Sequence, residues 1–382
     1  MITDTHKTAT RPLWGEVAVN RTDTPLFVNK TKFIEAIQQF KEQNSLPKLR
    51  ADVLDLESNL HSIKTDKIGV LNIHSNGDII KISQKHLLEQ LDQIADSKTL
   101  ERAKYYIERL EKAMTEIWTN NVNDINLNRW KEYSDIITDS LWMLQKRDSS
   151  GVHTAGYWGN FIPQIPNQMI RRYTKKGEWV LDPFVGCGTT LIESQRLGRN
   201  GIGIELQESV AQKARKLIGS EPNKHNVVAE VVTGDSTEQD YSEVLRKFGQ
   251  KSVQMAIMHP PYFDIIKFSK DPRDLSNASS IDSFLDKMNM VVERVGKILD
   301  KGRYLMLVIG DKYSKGEWIP LGFLTMQEVL NKGFALKSII VKNFEETTAK
   351  RNQKELWRYR ALVGGFYVFK HEYIFLFKKE RR

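Results

Sequence analysis

From Leu88 to Met114, apolar side chains recur at Leu88, Leu91, Ile94, Leu100, Ala103, Ile107, Leu110 and Met114, with charged residues between them. That spacing is close to 3.6 residues and predicts an amphipathic helix. Residues 52–147 read as mainly helical. One stretch differs: GVLNIHSNGDIIKI (69–82) carries Asn76-Gly77 between two apolar runs and predicts a short hairpin. Residues 1–45 mix turn formers with the short runs RPLWGEVAV and TPLFV and show no dominant period.

Around residue 148 the pattern changes. RDSSGVHTAG is rich in turn formers. Beyond it, short apolar runs alternate with amphipathic ones. Strands are predicted at EWVLDPF (178–184), GIGIEL (201–206), VVAEVVTGD (227–235), VQMAIMHPP (253–261) and RYLMLVIGD (303–311). Helices are predicted at Thr189 to Leu197 and over 208–218, 240–248, 281–299 and 323–333. FALKSIIVKN and HEYIFLFKK read as a closing pair of strands. Alternation of this kind predicts an α/β fold with a doubly wound, mostly parallel sheet. The expected organisation is a mainly helical N-terminal region (1–147), serving recognition or packing, and an α/β domain (148–382).

Charge adds a direction. Residues 301–382 hold 17 Lys and Arg against 8 Asp and Glu, whereas the first 300 hold 40 of each. All of the net charge of +9 therefore lies in the last fifth of the chain. A basic end on a neutral body suits either a polyanionic partner such as nucleic acid or a solubilising surface. With one cysteine, Cys187, neither an intramolecular disulfide nor a multi-cysteine zinc site can form. No metal is expected. The start MITDTHKTATRPLW lacks a signal-peptide apolar core, and no run is long enough to span a membrane. The expectation is a cytoplasmic protein.

Two segments carry candidate chemistry. The first is Asp182-Pro183-Phe184-Val185-Gly186-Cys187-Gly188-Thr189-Thr190, a strand end running through two glycines into a helix. Such a loop is either a structural turn or a place where backbone approaches a ligand closely. Glu205, followed by Leu206, ends the next strand, and Asp235, followed by Ser236, ends the third. Carboxylates at successive strand ends face the crevice where open α/β sheets bind ligands; there they can accept hydrogen bonds from a ribose diol and an amino group. The second segment is His259-Pro260-Pro261-Tyr262-Phe263. Two prolines end the strand and stiffen the backbone, holding carbonyl acceptors beside an aromatic face. That arrangement suits a planar base with an exocyclic amine, or simply a rigid loop over the core.

Together, Asp-Pro-Phe-x-Gly-x-Gly-Thr-Thr and the downstream Pro-Pro-Tyr resemble the S-adenosylmethionine-dependent amino methyltransferases of DNA, which modify N6 of adenine or N4 of cytosine. Asn160-Phe161-Ile162-Pro163-Gln164-Ile165-Pro166 is similar to the stretch that lies under the methionine part of the cofactor in that family. The resemblance covers roughly residues 151–380 and leaves 1–150 outside. It implies a Rossmann-like methyltransferase fold, with S-adenosylmethionine held by Phe161, Ile162, Asp182, Pro183, Phe184, Gly186, Gly188, Thr189, Thr190, Glu205, Leu206, Asp235 and Ser236. Catalysis would fall to His259, Pro260, Pro261 and Tyr262, acting on a base flipped from double-stranded DNA. The family usually places Asp, Asn or Ser where this chain has His259. A neutral histidine can still accept from the amine, so activity is expected to fall as pH drops through its pKa. Phe263, Lys267, Lys350, Arg351, Lys354, Arg358 and Arg360 are the expected DNA contacts, and residues 267–280 a mobile or base-contacting loop. A companion restriction endonuclease is a candidate partner. The alternatives are an RNA methyltransferase, a protein amide methyltransferase, and a non-catalytic nucleic-acid-binding protein on the same fold.

Overall fold

The computed structural model describes residues 24–61, 66–74, 78–144, 146–154, 159–344 and 354–380. The described residues fall into two compact units, the first running to Trp118 and including Asn126–Asp135, the second holding Thr119–Ile125 and the described residues from Ile136 onward.

In the first unit, strand β1 (Pro25–Asn29) leads directly into helix α1 (Lys30–Glu42), followed by α2 (Leu46–Asn59), β2 (Ile79–Ser83), α3 (Gln84–Ala95) and α4 (Leu100–Thr115). Each strand ends in a residue that starts a helix: Asn29 accepts from the Lys32 amide and Ser83 from the His86 amide. These side chains satisfy donors that a helix start leaves unpaired. Thr99 caps α4 in the same way, so Asp96–Thr99 divides the long apolar stripe into two helices. Phe33, Leu49, Leu87 and Ile107 meet in one core. The predicted hairpin at 69–82 does not form. β2 pairs instead with β1, antiparallel, with Pro25 opposite Ser83. Residues 75–77, which hold the Asn-Gly pair, lie outside the described residues. α1 follows a stripe at Phe33, Ala36, Ile37 and Phe40 within the region that showed no dominant period.

The second unit begins with β3 (Leu141–Trp142), upstream of the turn-rich stretch at 148. Helix α5 (Gln164–Tyr173) and strand β4 (Trp179–Asp182) follow. The alternation then runs α6 (Thr189–Arg196), β5 (Asn200–Glu205), α7 (Glu208–Ser220), β6 (Ala229–Thr233), α8 (Tyr241–Arg246), β7 (Val253–Met258), α9 (Ile281–Ile298) and β8 (Leu299–Ile309). The chain closes with the small pair β9 (Lys312–Ser314) and β10 (Glu317–Ile319), then α10 (Leu321–Asn331), β11 (Phe334–Asn343), α11 (Lys354–Gly364) and β12 (His371–Lys379).

The eight-stranded sheet has the order β3-β11-β12-β8-β7-β4-β5-β6. Only β12 runs against the others. Both faces are covered, which explains the near-continuous apolar strands. Met255 and Ile257 of β7 join the layer under α5, while Ala256 and Met258 join the layer under α9 and α10. β4, β5 and β6 advance in one direction, and the chain then returns to place β7 on the other side of β4. The sheet therefore reverses order between β4 and β7, the place where open α/β sheets form a ligand crevice beyond the strand ends. This is the doubly wound, mostly parallel α/β architecture expected from the sequence. The closing strands do pair, but α11 lies between them. Among the described residues, no helix is long and apolar enough to cross a membrane.

Candidate active site

A cavity of about 860 Å³ opens at the reversal point. The loops after β4, β5, β6 and β7 all reach it, because parallel neighbours present their carboxyl ends on one side. The two segments singled out in the sequence therefore line the same space: Pro183, Phe184 and Gly186 from one, His259 to Tyr262 from the other.

The first loop turns at Gly186 and Gly188, with φ of +51° and +87°, a region costly for residues with a Cβ. Asp182 is completely buried and takes the Phe184 amide (2.9 Å) and the Thr190 hydroxyl (2.5 Å). It therefore shapes the loop from behind. Thr189 binds the Asn160 side chain at 2.7 Å, which ties the 160–162 segment to the loop. Of the expected cofactor residues, Phe161, Ile162, Pro183, Phe184, Gly186, Glu205, Leu206, Asp235 and Ser236 line the cavity, and Asp182, Gly188, Thr189 and Thr190 do not. The last four stand behind that lining, in the loop and the start of α6. A Cβ on Gly188 would lie 3.0 Å from Ile218 Cδ1 and 3.6 Å from Ala214 Cβ, facing α7 and not the ligand space. Gly188→Val should therefore cost about 2–4 kcal/mol of stability through strain and overpacking. Urea denaturation should show that loss, with cofactor affinity of the folded protein nearly kept.

Burial pushes the Asp182 carboxyl up to about 7, against the opposing hydrogen bonds from Thr190 and Phe184. Its folded-state pKa lies above the unfolded value of 3.8, so this group favours the folded state less as pH rises from about 4 to 7. Asp182→Asn removes that dependence. Its stability relative to the parent should increase over that interval, as read by denaturation at several pH values.

Glu205 accepts from the Gln207 amide at 3.0 Å, and the Gly186 and Leu206 amides also bond to it. Burial raises its carboxyl. At the end of β6, Asp235 commits Oδ1 to the Thr237 amide and hydroxyl, at 2.8 and 2.7 Å, and among the described residues nothing engages Oδ2. The cavity therefore offers two carboxylates over an apolar floor from Phe161, Ile162 and Phe184. That donor-poor, acceptor-rich wall fits an adenosine with its ribose diol and amino group.

On the other side, the His259 ring meets Phe161 edge to face at 4.8 Å. Its Nε2 lies 3.0 Å from the Tyr262 hydroxyl, which donates to Glu372 Oε2 at 2.9 Å. Lys342 in turn bonds Glu372 Oε1 at 3.0 Å. Burial lowers the His259 pKa to about 4, the Glu372 charge only partly offsetting it. The acid limb expected from an ordinary histidine therefore moves down to that region. Burial also raises the Tyr262 phenol well above its usual value.

Phe263 does not line the cavity: it is buried, packs against Phe284 at 6.0 Å between centroids, and has Lys312 over its ring. The structure thus places Phe263 in the core and not with the residues that line the cavity. Lys267 donates to the Ser276 carbonyl at 2.6 Å. The 267–280 loop is cross-braced by Ser269 to Asp274 and by Asn277 to the Ser269 and Asp271 carbonyls. Its Phe268, Arg273, Asp274 and Leu275 form a wall of the cavity. Arg358 and Arg360 lie exposed on α11, Arg360 over the Trp357 ring at 5.2 Å, and Trp357 itself lines the cavity. Lys350, Arg351 and the Lys354 side chain lie outside the described residues. Lys342 and Glu372 were not visible as site residues in the sequence. They meet only because β11 and β12 pair with Lys342 opposite Glu372.

A sequence profile of the family described as DNA methylase matches residues 16–216 and 253–382. The chain belongs to this family. The match starts at residue 16, so it extends into the N-terminal region that the motif resemblance left outside. Curated relatives include the Type II methyltransferases M.MjaII of Methanocaldococcus jannaschii (29% identical over 26% of this chain and 21% of that protein) and M2.DpnII of Streptococcus pneumoniae (34% over 25% and 34%). The chain spans about a fifth to a third of the length of these relatives. Among solved structures, TrmN from Thermus thermophilus aligns with 57% of this chain and 49% of its own, at 17% identity and a TM-score of 0.37.

Proposed function

We propose that this chain is a site-specific DNA methyltransferase that uses S-adenosylmethionine to methylate an exocyclic base amine, N6 of adenine or N4 of cytosine. The observation that carries the reading is the single cavity joining the acidic strand ends Glu205 and Asp235 to the His259–Tyr262 segment. When bound, S-adenosylmethionine supplies an electrophilic methyl on a sulfonium. Glu205 would accept from the ribose hydroxyls and Asp235 from the adenine amine, and Phe161, Ile162, Pro183 and Phe184 would exclude water.

Across the cavity, His259 and the Pro260 carbonyl accept the N–H bonds of the target amine. That draws the nitrogen lone pair out of conjugation with the ring. The Tyr262 ring offers a stacking face, and Pro261 keeps the segment stiff. A base inside a duplex cannot reach this cavity, so it enters flipped. Arg358 and Arg360, exposed on the helix whose Trp357 lines the cavity, supply positive charge for backbone phosphates. The N-terminal unit is a recognition or packing module, the site of action is the cytoplasm, and a restriction endonuclease is the companion. Incubation with methyl-labelled cofactor and duplex DNA, RNA or protein tests the reading. Label should enter DNA and, after digestion, appear in N6-methyladenine or N4-methylcytosine. Label confined to RNA or protein would refute it.

A further inference from the structure

We infer that Glu372, held by Lys342, is a positioning residue that sets the tautomer of His259 through Tyr262, so that His259 presents Nδ1 as a hydrogen-bond acceptor to the target amine. The inference deepens the methyltransferase reading and rests on it for the identity of that amine.

The direction of each hydrogen bond follows from the chemistry of its ends. Lys342 contributes an ammonium, which only donates, and it takes Glu372 Oε1 at 3.0 Å. An ionised carboxylate only accepts. The bond of 2.9 Å between Glu372 Oε2 and the Tyr262 hydroxyl therefore uses the one phenolic proton. The Tyr262 oxygen has no second proton to give. At 3.0 Å from it, His259 Nε2 must donate, so Nε2 carries the proton of the neutral ring. Nδ1 is left with its lone pair. Among the described residues no group bonds Nδ1, and the ring lines the cavity.

Two further features favour this arrangement. Burial keeps the imidazole neutral and the phenol protonated, so the chain of donors does not run out. The ion pair is itself well shielded: the Lys342 and Glu372 side chains are 8% and 12% exposed. A buried pair of this kind is strongly directional because water does not compete for its lone pairs. Family members with Asp, Asn or Ser before the prolines, as the resemblance describes, have an oxygen acceptor there. A histidine matches that role only in one tautomer, and the Glu372–Tyr262 bond selects that tautomer.

Glu372→Gln tests the assignment with almost no change of shape. Lys342 keeps the amide oxygen, so the amide NH₂ turns toward Tyr262 and donates to it. With its former acceptor gone, Tyr262 is free to give its proton to His259 Nε2, and the ring proton then moves to Nδ1. The acceptor facing the amine becomes a donor. Long-range proton–nitrogen NMR on protein labelled with ¹⁵N-histidine reads the tautomer directly, with His259→Asn identifying the resonance. In the parent, Nε2 should be protonated and Nδ1 bare; in Glu372→Gln the two should exchange. The variant's kcat should fall about 10²- to 10⁴-fold, the range seen when an acid–base group or its tautomer is lost. Its affinity for S-adenosylmethionine should stay within about twofold by calorimetry, since β8, β7 and β4 lie between β12, which carries Glu372, and β5, which carries Glu205. Tyr262→Phe is a second probe: with no hydroxyl the ring should show mixed tautomers. A parent protein with Nδ1 protonated would overturn the inference, as would a Glu372→Gln variant that keeps both the parent tautomer and the parent kcat. A parent that shows the expected tautomer but puts no label into DNA would contradict the methyltransferase reading and leave the tautomer assignment standing.

Discussion

Tyr262→Ala should reduce methyl transfer to DNA by at least about 10³-fold while S-adenosylmethionine binds with nearly unchanged affinity. Two losses combine. The first is the stacking face for the extruded base, worth about 1–3 kcal/mol per base on aromatic platforms. The second is the hydroxyl that fixes His259, whose loss acts on the amine itself. The cofactor side of the cavity is built by other elements: the loops after β4, β5 and β6 are held by Asp182 and Thr189, by Glu205 and by Asp235, without Tyr262. Single-turnover transfer and cofactor calorimetry on the same preparation separate the two effects. Transfer at a tenth of the parent rate or better would show that Tyr262 does not meet the base. A large drop in cofactor affinity would show that it belongs to the other subsite.

The second large effect is at Glu205. Glu205→Ala should weaken S-adenosylmethionine binding about 100-fold or more. A hydrogen bond to a charged group contributes about 1.5–3 kcal/mol, and each 1.4 kcal/mol is a factor of ten. The carboxylate also receives the amides of Gly186, Leu206 and Gln207, so its removal strands donors in the loop that cradles the ligand. Turnover at saturating cofactor should be little changed, because Glu205 does not approach the amine. Calorimetry that found Kd within twofold of the parent would move the ribose away from this strand end. Glu205→Gln should fall between, since an amide can still accept one hydrogen bond.

The parts of this site that the sequence revealed are those determined by local chemistry. A parallel sheet buried on both faces must consist of apolar runs, so β4, β5, β7 and β8 stand out from their surroundings. Gly186 and Gly188 mark a turn that needs positive φ, and Glu205 and Asp235 mark the strand ends beside it. What was hidden depends on distant pairing. The Asn-Gly signal at 76–77 suggested a local hairpin, but the strand at 79–83 pairs with 25–29, and no local pattern announces a partner so far upstream. Glu372 and Tyr262 are 110 residues apart and are joined by the insertion of β12 between β8 and β11. No helix is expected between the closing strands because the apolar positions of α11 form no buried stripe: Leu362 is 72% exposed and Val363 70%. The burial of Phe263 was equally hidden in the sequence. Its neighbour Tyr262 does line the cavity, but the backbone at Phe263 turns to φ +51° and drives that ring into the core.

In the proposed reaction, cofactor and base share one cavity at the reversal of the sheet, with His259 between them. A crystal structure of the protein grown with S-adenosylmethionine tests it most directly. The ribose should lie on Glu205, the adenine amine near Asp235 Oδ2, and the sulfonium methyl should point across the cavity toward His259 and the Pro260 carbonyl. A cofactor bound elsewhere, or one whose methyl is turned away from His259 by the walls of the cavity, would contradict it.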